Sequence, residues 1–216
     1  MSEVGIYKKL SADISQNYRA ESNVLGRVNN RSEIEREYMM LFSDKDYTDV
    51  EYNPDNGGLK ARHVKRHNHS SKKEETFFGD EKLTSTALEL ECQDNLYRLG
   101  HRAILMPEKI KGENGDYLPS LDMVLNGKRM DIKSITSATE YGNALLTKNK
   151  QLNNMFNKTG LDSDSVCLYF HKPSMFSDKI MKDSIDSFKT RVTGVQRIKK
   201  VYVVTNGCKS IIEYNI

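Results

Sequence analysis

Asp122, Asp131 and Lys133 stand where a short hairpin can gather them. Asn126-Gly127 separates two alternating runs, 121–125 and 128–134. Asn-Gly is the strongest short hairpin signal, because a type I′ turn requires positive φ at both central residues. A two-residue loop sets Leu125 against Lys128, Val124 against Arg129, Met123 against Met130 and Asp122 against Asp131. Lys133 lies two residues beyond Asp131 and so on its side of the pleat. Two carboxylates about 5 Å apart across a hairpin repel unless a basic neighbour or a divalent cation neutralises them. Such a set suits phosphodiester hydrolysis. The carboxylates hold Mg²⁺, or Mn²⁺ or Zn²⁺ in its place, against a phosphate oxygen and a water, while Lys133 stabilises the nucleophile or the developing charge. Glu89, at the edge of an upstream helical stripe of Leu88, Cys92, Leu96 and Leu99, is the first choice for a third acid, and Glu91 the second. The ordinary alternative is a solvated strand face on which the lysine screens the two acids.

The elements that must position these residues are legible from periodicity. A helical pattern covers 84–99, apolar runs suited to strands cover 102–106, 120–125 and 128–134, and a helix is predicted at 141–157. A strand at 165–170, a helix at 176–191 and strands at 200–205 and 209–214 complete an α/β domain over 80–216. Residues 1–50 read as a polar helical extension whose apolar positions include Leu10, Ile14, Ile34, Tyr38, Leu41 and Phe42. The turn formers from Tyr52 to Gly58 open a basic linker over 51–79, where Lys60, Arg62, Lys65, Arg66, Lys72 and Lys73 crowd together with His63, His67 and His69. This segment reads as a strip for a polyanion or as a solvated linker, with zinc ligation by the histidines a third reading. His101 and His171 read as helix-cap or core histidines.

Composition narrows the classes. With 37% apolar and 29% charged residues in 216, one core is expected, with polar flanks. The balance of 33 basic against 30 acidic residues identifies no partner by itself. No apolar run reaches the length of a membrane span, and the first twenty residues carry no export signal, so a cytoplasmic site of action is expected. Cys92, Cys167 and Cys208 are isolated in sequence and read as reduced thiols, without a Cys-x-x-Cys metal pattern.

The order acid on a helix, strand, Pro119 to Asp122, turn, and Asp131-Ile132-Lys133 resembles the core motif of the PD-(D/E)XK nuclease superfamily. Leu99-Gly100-His101, Leu105-Met106-Pro107-Glu108, Pro119, Asp122, Asn126-Gly127-Lys128 and Asp131 to Ser134 together resemble the C-terminal nuclease domains of contact-dependent-inhibition (CdiA-type) and other bacterial polymorphic toxins, and their phage and mobile-element relatives. The segments 166–171, 176–178 and 197–203 extend the likeness, which covers roughly 80–205. Asp131 stands where Glu is commoner, and Ser120-Leu121 separate Pro119 from Asp122. The resemblance implies a restriction-endonuclease-like mixed sheet flanked by helices and a metal-dependent nuclease acting on tRNA or DNA. Glu89, Asp122 and Asp131 would be its metal ligands and Lys133 its catalytic lysine. It also implies a helix residue near the scissile phosphate, for which Lys148, Lys150 and Gln151 are available, delivery as part of a larger toxin, and a cognate immunity protein. Two alternatives stand beside it: a metal-independent, barnase-like RNase toxin using the same acids and lysine for acid–base work, and a non-catalytic nucleic-acid-binding or phage structural protein.

Overall fold

The computed structural model describes residues 31–66, 75–108, 110–111, 115, 117–137 and 139–216. The expected helices before residue 31, together with His67, His69, Lys72 and Lys73, lie outside the described residues. The chain is mixed α/β and divides into two compact units, 1–70 with 96–129, and 71–95 with 130–216.

The first unit contains helix α1 (Arg31–Ser43) and strands β1 (Tyr47–Asn53), β2 (Gly58–His63), β5 (Arg102–Leu105) and β8 (Met123–Leu125). β1 pairs antiparallel with β2, β2 parallel with β5, and β5 antiparallel with β8. A small hairpin, β6 (Ile110–Lys111) with β7 (Tyr117–Leu118), lies in the loop before β8. Ile34 and Leu41 of α1 and Leu59, Ala61, Ala103, Ile104, Leu105 and Val124 of the strands are buried. In place of a linker from residue 51, the chain builds the β1–β2 hairpin. Its turn is held by Asx bonds, with the Asp55 N–H donating to Asn53 Oδ1 and the Gly58 N–H to Asn56 Oδ1, both at 2.9 Å.

The second unit holds the hairpin β3 (Glu75–Phe78) with β4 (Glu81–Thr84), most of helix α2 (Ser85–Arg98), strands β9 (Lys128–Ser134, from Met130 on), β10 (Ser165–Phe170), β11 (Lys200–Thr205) and β12 (Ile212–Asn215), and helices α3 (Tyr141–Thr159) and α4 (Asp178–Arg191). β9, β10 and β11 run parallel in that order, and β12 closes antiparallel on β11. All six residues of β10 are buried, as expected for a central parallel strand covered on both faces. Cys92 of α2 meets Cys167, whereas the Tyr141 ring of α3 meets Phe170, so the two helices take opposite faces of β10. α3 ends at Gly160, whose φ of 68° supplies the left-handed cap and sends its N–H to the Phe156 carbonyl. α4 starts at Ser177, whose side chain accepts the Ile180 N–H.

Candidate active site

The hairpin turn forms as its residues demand: Asn126 has φ 46° and Gly127 φ 80°, between the end of β8 and the start of β9. β8 begins at Met123, so Asp122 lies in a bend before the strand and not at a paired position within it. Its carboxylate accepts Arg66 Nη2 at 2.8 Å. The Arg66 side chain is 1% exposed; its Nε lies 3.5 Å from Glu108 and its Nη1 donates to the Met106 carbonyl. Arg66 was expected on a solvent-facing basic strip. The structure corrects this: its fork of donors is used internally, where a buried guanidinium needs carboxylates and carbonyls around it. Lys60 pairs with Glu51 at 3.0 Å and Arg62 with Asp49 at 2.6 Å, so each has an acidic cross-strand partner, while Lys65 is exposed. His63 is buried, its ring against Tyr47, and burial lowers its pKa.

In the second unit β9 carries Asp131 and Lys133 on one side of the pleat, the side that α3 covers. Lys148 of α3 reaches Asp131 at 3.0 Å, with the two side chains 12% and 7% exposed. Lys133 is half-buried. Gln151, three residues past Lys148 on the same helix, is exposed, as is Lys150. Just before α3, Glu140 Oε2 accepts the Thr136 N–H and hydroxyl, both at 2.7 Å, and the Ser137 N–H at 3.2 Å. Burial opposes the charge on Glu140, but those hydrogen bonds and the nearby Lys133 lower its pKa overall. The turn that leads from β9 into α3 is thereby pinned next to Lys133.

Glu89 is half-buried on α2. Glu91 of the same helix enters a cluster with His171. Its Oε2 lies 2.7 Å from His171 Nδ1 and its Oε1 accepts Asn206 Nδ2 at 2.9 Å. On the other side of the ring, His171 Nε2 lies 2.9 Å from Glu81 Oε2, which also receives Lys172 Nζ. Burial works against a charged imidazole here, yet the hydrogen bonds to Glu91 and Glu81 outweigh it and raise the His171 pKa. The same contacts, Lys172 first and His171 second, lower that of Glu81. Burial and the hydrogen bond to Glu91 push the Tyr169 phenol up. Reading His171 as a cap or core residue missed this cluster. Its partners lie 80 and 90 residues away, so the one local signal was a histidine followed by a lysine at the end of an apolar strand.

Among the described residues no group of three or more His, Cys, Asp or Glu side chains is arranged to hold a metal ion. None of the described helices is long and apolar enough to cross a membrane. The chain matches no family model, no curated protein and no solved structure.

Proposed function

We propose that the chain is a metal-dependent nuclease of restriction-endonuclease-like fold that hydrolyses phosphodiester bonds in tRNA or DNA, with Asp131 and Lys133 at its catalytic centre. The observation that carries this reading is the pairing of Asp131 with Lys148 on the strand face that also bears Lys133. A carboxylate, a lysine two residues on and a cation from the following helix are the groups a phosphodiester centre uses. The element order α2, β5, β8, β9, α3, β10, with β9 and β10 parallel, is consistent with the fold that the motif resembles.

Mg²⁺ is held by one or two carboxylates and completes its shell with waters and phosphate oxygens, so a single buried, oriented carboxylate such as Asp131 fits it as a protein ligand. Asp122 and Glu89 enter as further ligands on the sequence reading and the resemblance. When bound, the ion supplies a polarised phosphate oxygen and a more acidic water. The chain's own residues do the rest. Lys148 fixes the Asp131 carboxylate and balances its charge in the absence of a cation. Lys133 donates to the attacking oxygen or to the non-bridging oxygen on which charge builds. Gln151, one helical turn beyond Lys148, offers an amide to the phosphate or the water. Mn²⁺ and Zn²⁺ are the alternative ions. A toxin setting and an immunity protein belong to the same proposal and rest on the resemblance.

The test is incubation of the protein and its Asp131→Ala form with plasmid DNA, bulk tRNA and ribosomal RNA in EDTA, Mg²⁺, Mn²⁺ or Zn²⁺. Cleavage that requires a metal and disappears with Asp131→Ala is the expected result. RNA cleavage that persists in EDTA would replace this reading with the metal-independent, barnase-like one. Intact substrates in every lane, with bound nucleic acid, would replace it with a binding protein.

A further inference from the structure

We propose that His171 Nε2–H and the Lys172 ammonium form a binding site for a phosphate group, which the carboxylate of Glu81 fills in this structure. The site is built from behind. β10 ends at Phe170, so His171 and Lys172 emerge at the carboxyl end of a strand lying between two parallel neighbours, the edge where α/β sheets present their ligands. The His171 ring is 6% exposed and sits against Phe78, ring centres 4.8 Å apart. Glu91 holds its Nδ1 at 2.7 Å, Asn206 holds Glu91 at 2.9 Å, and Asn95 contacts Asn206 at 3.3 Å. With Nδ1–H donated to a fixed carboxylate, the ring is locked in orientation and its Nε2–H is directed at Glu81.

Glu81 differs from Glu91 in the way that matters. Its side chain is 43% exposed, and it sits on a four-residue strand of a two-stranded hairpin. One of its oxygens accepts both His171 Nε2–H, at 2.9 Å, and Lys172 Nζ. A single oxygen shared by a ring N–H and an ammonium from adjacent residues is the contact a phosphate oxygen makes, and a phosphate brings more charge and more acceptors to it. An exposed glutamate can rotate away, whereas Glu91, 28% exposed, is held on its second oxygen by Asn206. The site does not depend on Asp131: β9 residues alternate in direction, and Ile132, not Asp131, is in register with Cys167 on the face that α2 covers.

Inorganic phosphate is the probe, titrated at constant ionic strength with chloride as the balancing anion and followed by calorimetry and by the side-chain NMR signals of His171 and Lys172. Glu81→Gln removes the competing charge and should bind phosphate about tenfold more tightly than the unsubstituted protein, the worth of one charge-assisted contact. Adding His171→Gln, or Lys172→Met where the histidine variant fails to fold, should abolish that gain. The proposal is overturned if Glu81→Gln binds phosphate no more tightly than the parent. It is equally overturned if the gain survives Lys172→Met, or if the perturbed signals lie away from His171.

Discussion

Arg66 shows how one side chain can look like a surface contact in sequence and act as an internal tie in the fold. It lies among basic residues, but its guanidinium is buried between Asp122 and Glu108. Removing one partner of a buried ion pair leaves the others uncompensated. Arg66→Met should therefore lower the unfolding free energy by roughly 3 kcal/mol, read from urea denaturation; a change near zero would mean the pair contributes nothing net. Glu37 makes a second residue-scale prediction. It is buried on α1 with neither carboxylate oxygen hydrogen-bonded, and burial raises its pKa to about 8, against a smaller opposing pull from Arg102. A carboxyl whose folded pKa is raised contributes stability that is complete below its ordinary pKa and lost as pH climbs through the folded value. The protein should lose stability between about pH 4.5 and 8 from this group, and Glu37→Gln should flatten that slope. Equal slopes in both proteins would show that Glu37 is ionised in the fold. Neither residue was legible as such: burial of a charge is decided by its neighbours, and those are distant in sequence.

At the scale of elements the chain was largely readable from residue 85 on, because most helices and strands there follow clean periods. Helix 85–98, the strands at 102–105, 128–134, 165–170 and 200–205, and helix 141–159 fall within a few residues of the periodicity reading. The β1–β2 hairpin was not readable, for a physical reason. Its register shifts between Thr48 and Glu51, where Asp49 has φ 54°, so the alternation that marks a strand is broken at its centre. Its basic residues also looked like a solvated run, since the acids that neutralise them lie on the partner strand. The β1–β2 turn makes a close approach to α2: a Cβ at Gly58 would stand 2.3 Å from the Tyr97 carbonyl oxygen. Gly58→Ala should cost about 1–3 kcal/mol, the usual toll of forcing atoms into a packed site, and lower the melting temperature; an unchanged melting temperature would mean that the hairpin shifts freely.

At the scale of the molecule, a near-neutral chain with 33 basic and 30 acidic residues spends many of its charges on one another. Asp122 is tied to Arg66 in one unit and Asp131 to Lys148 in the other. The Asn126-Gly127 turn and the Asp131-x-Lys133 spacing were visible in sequence, because both are local. Lys148 and Glu91 were also named from sequence, but their contacts with Asp131 and His171 were not visible, because only the packing of α3 and α2 makes them. The nuclease account makes Asp131 and Lys133 parts of one chemical step. Its most direct test is the single-turnover rate of Mg²⁺-dependent cleavage by the unsubstituted chain, Asp131→Asn and Lys133→Met, each shown to be folded by its unfolding curve. The account predicts a rate loss of at least about 100-fold in both variants, the range for removing a group that acts in the transition state. Equal rates in all three proteins, or no cleavage by the unsubstituted chain, would contradict it.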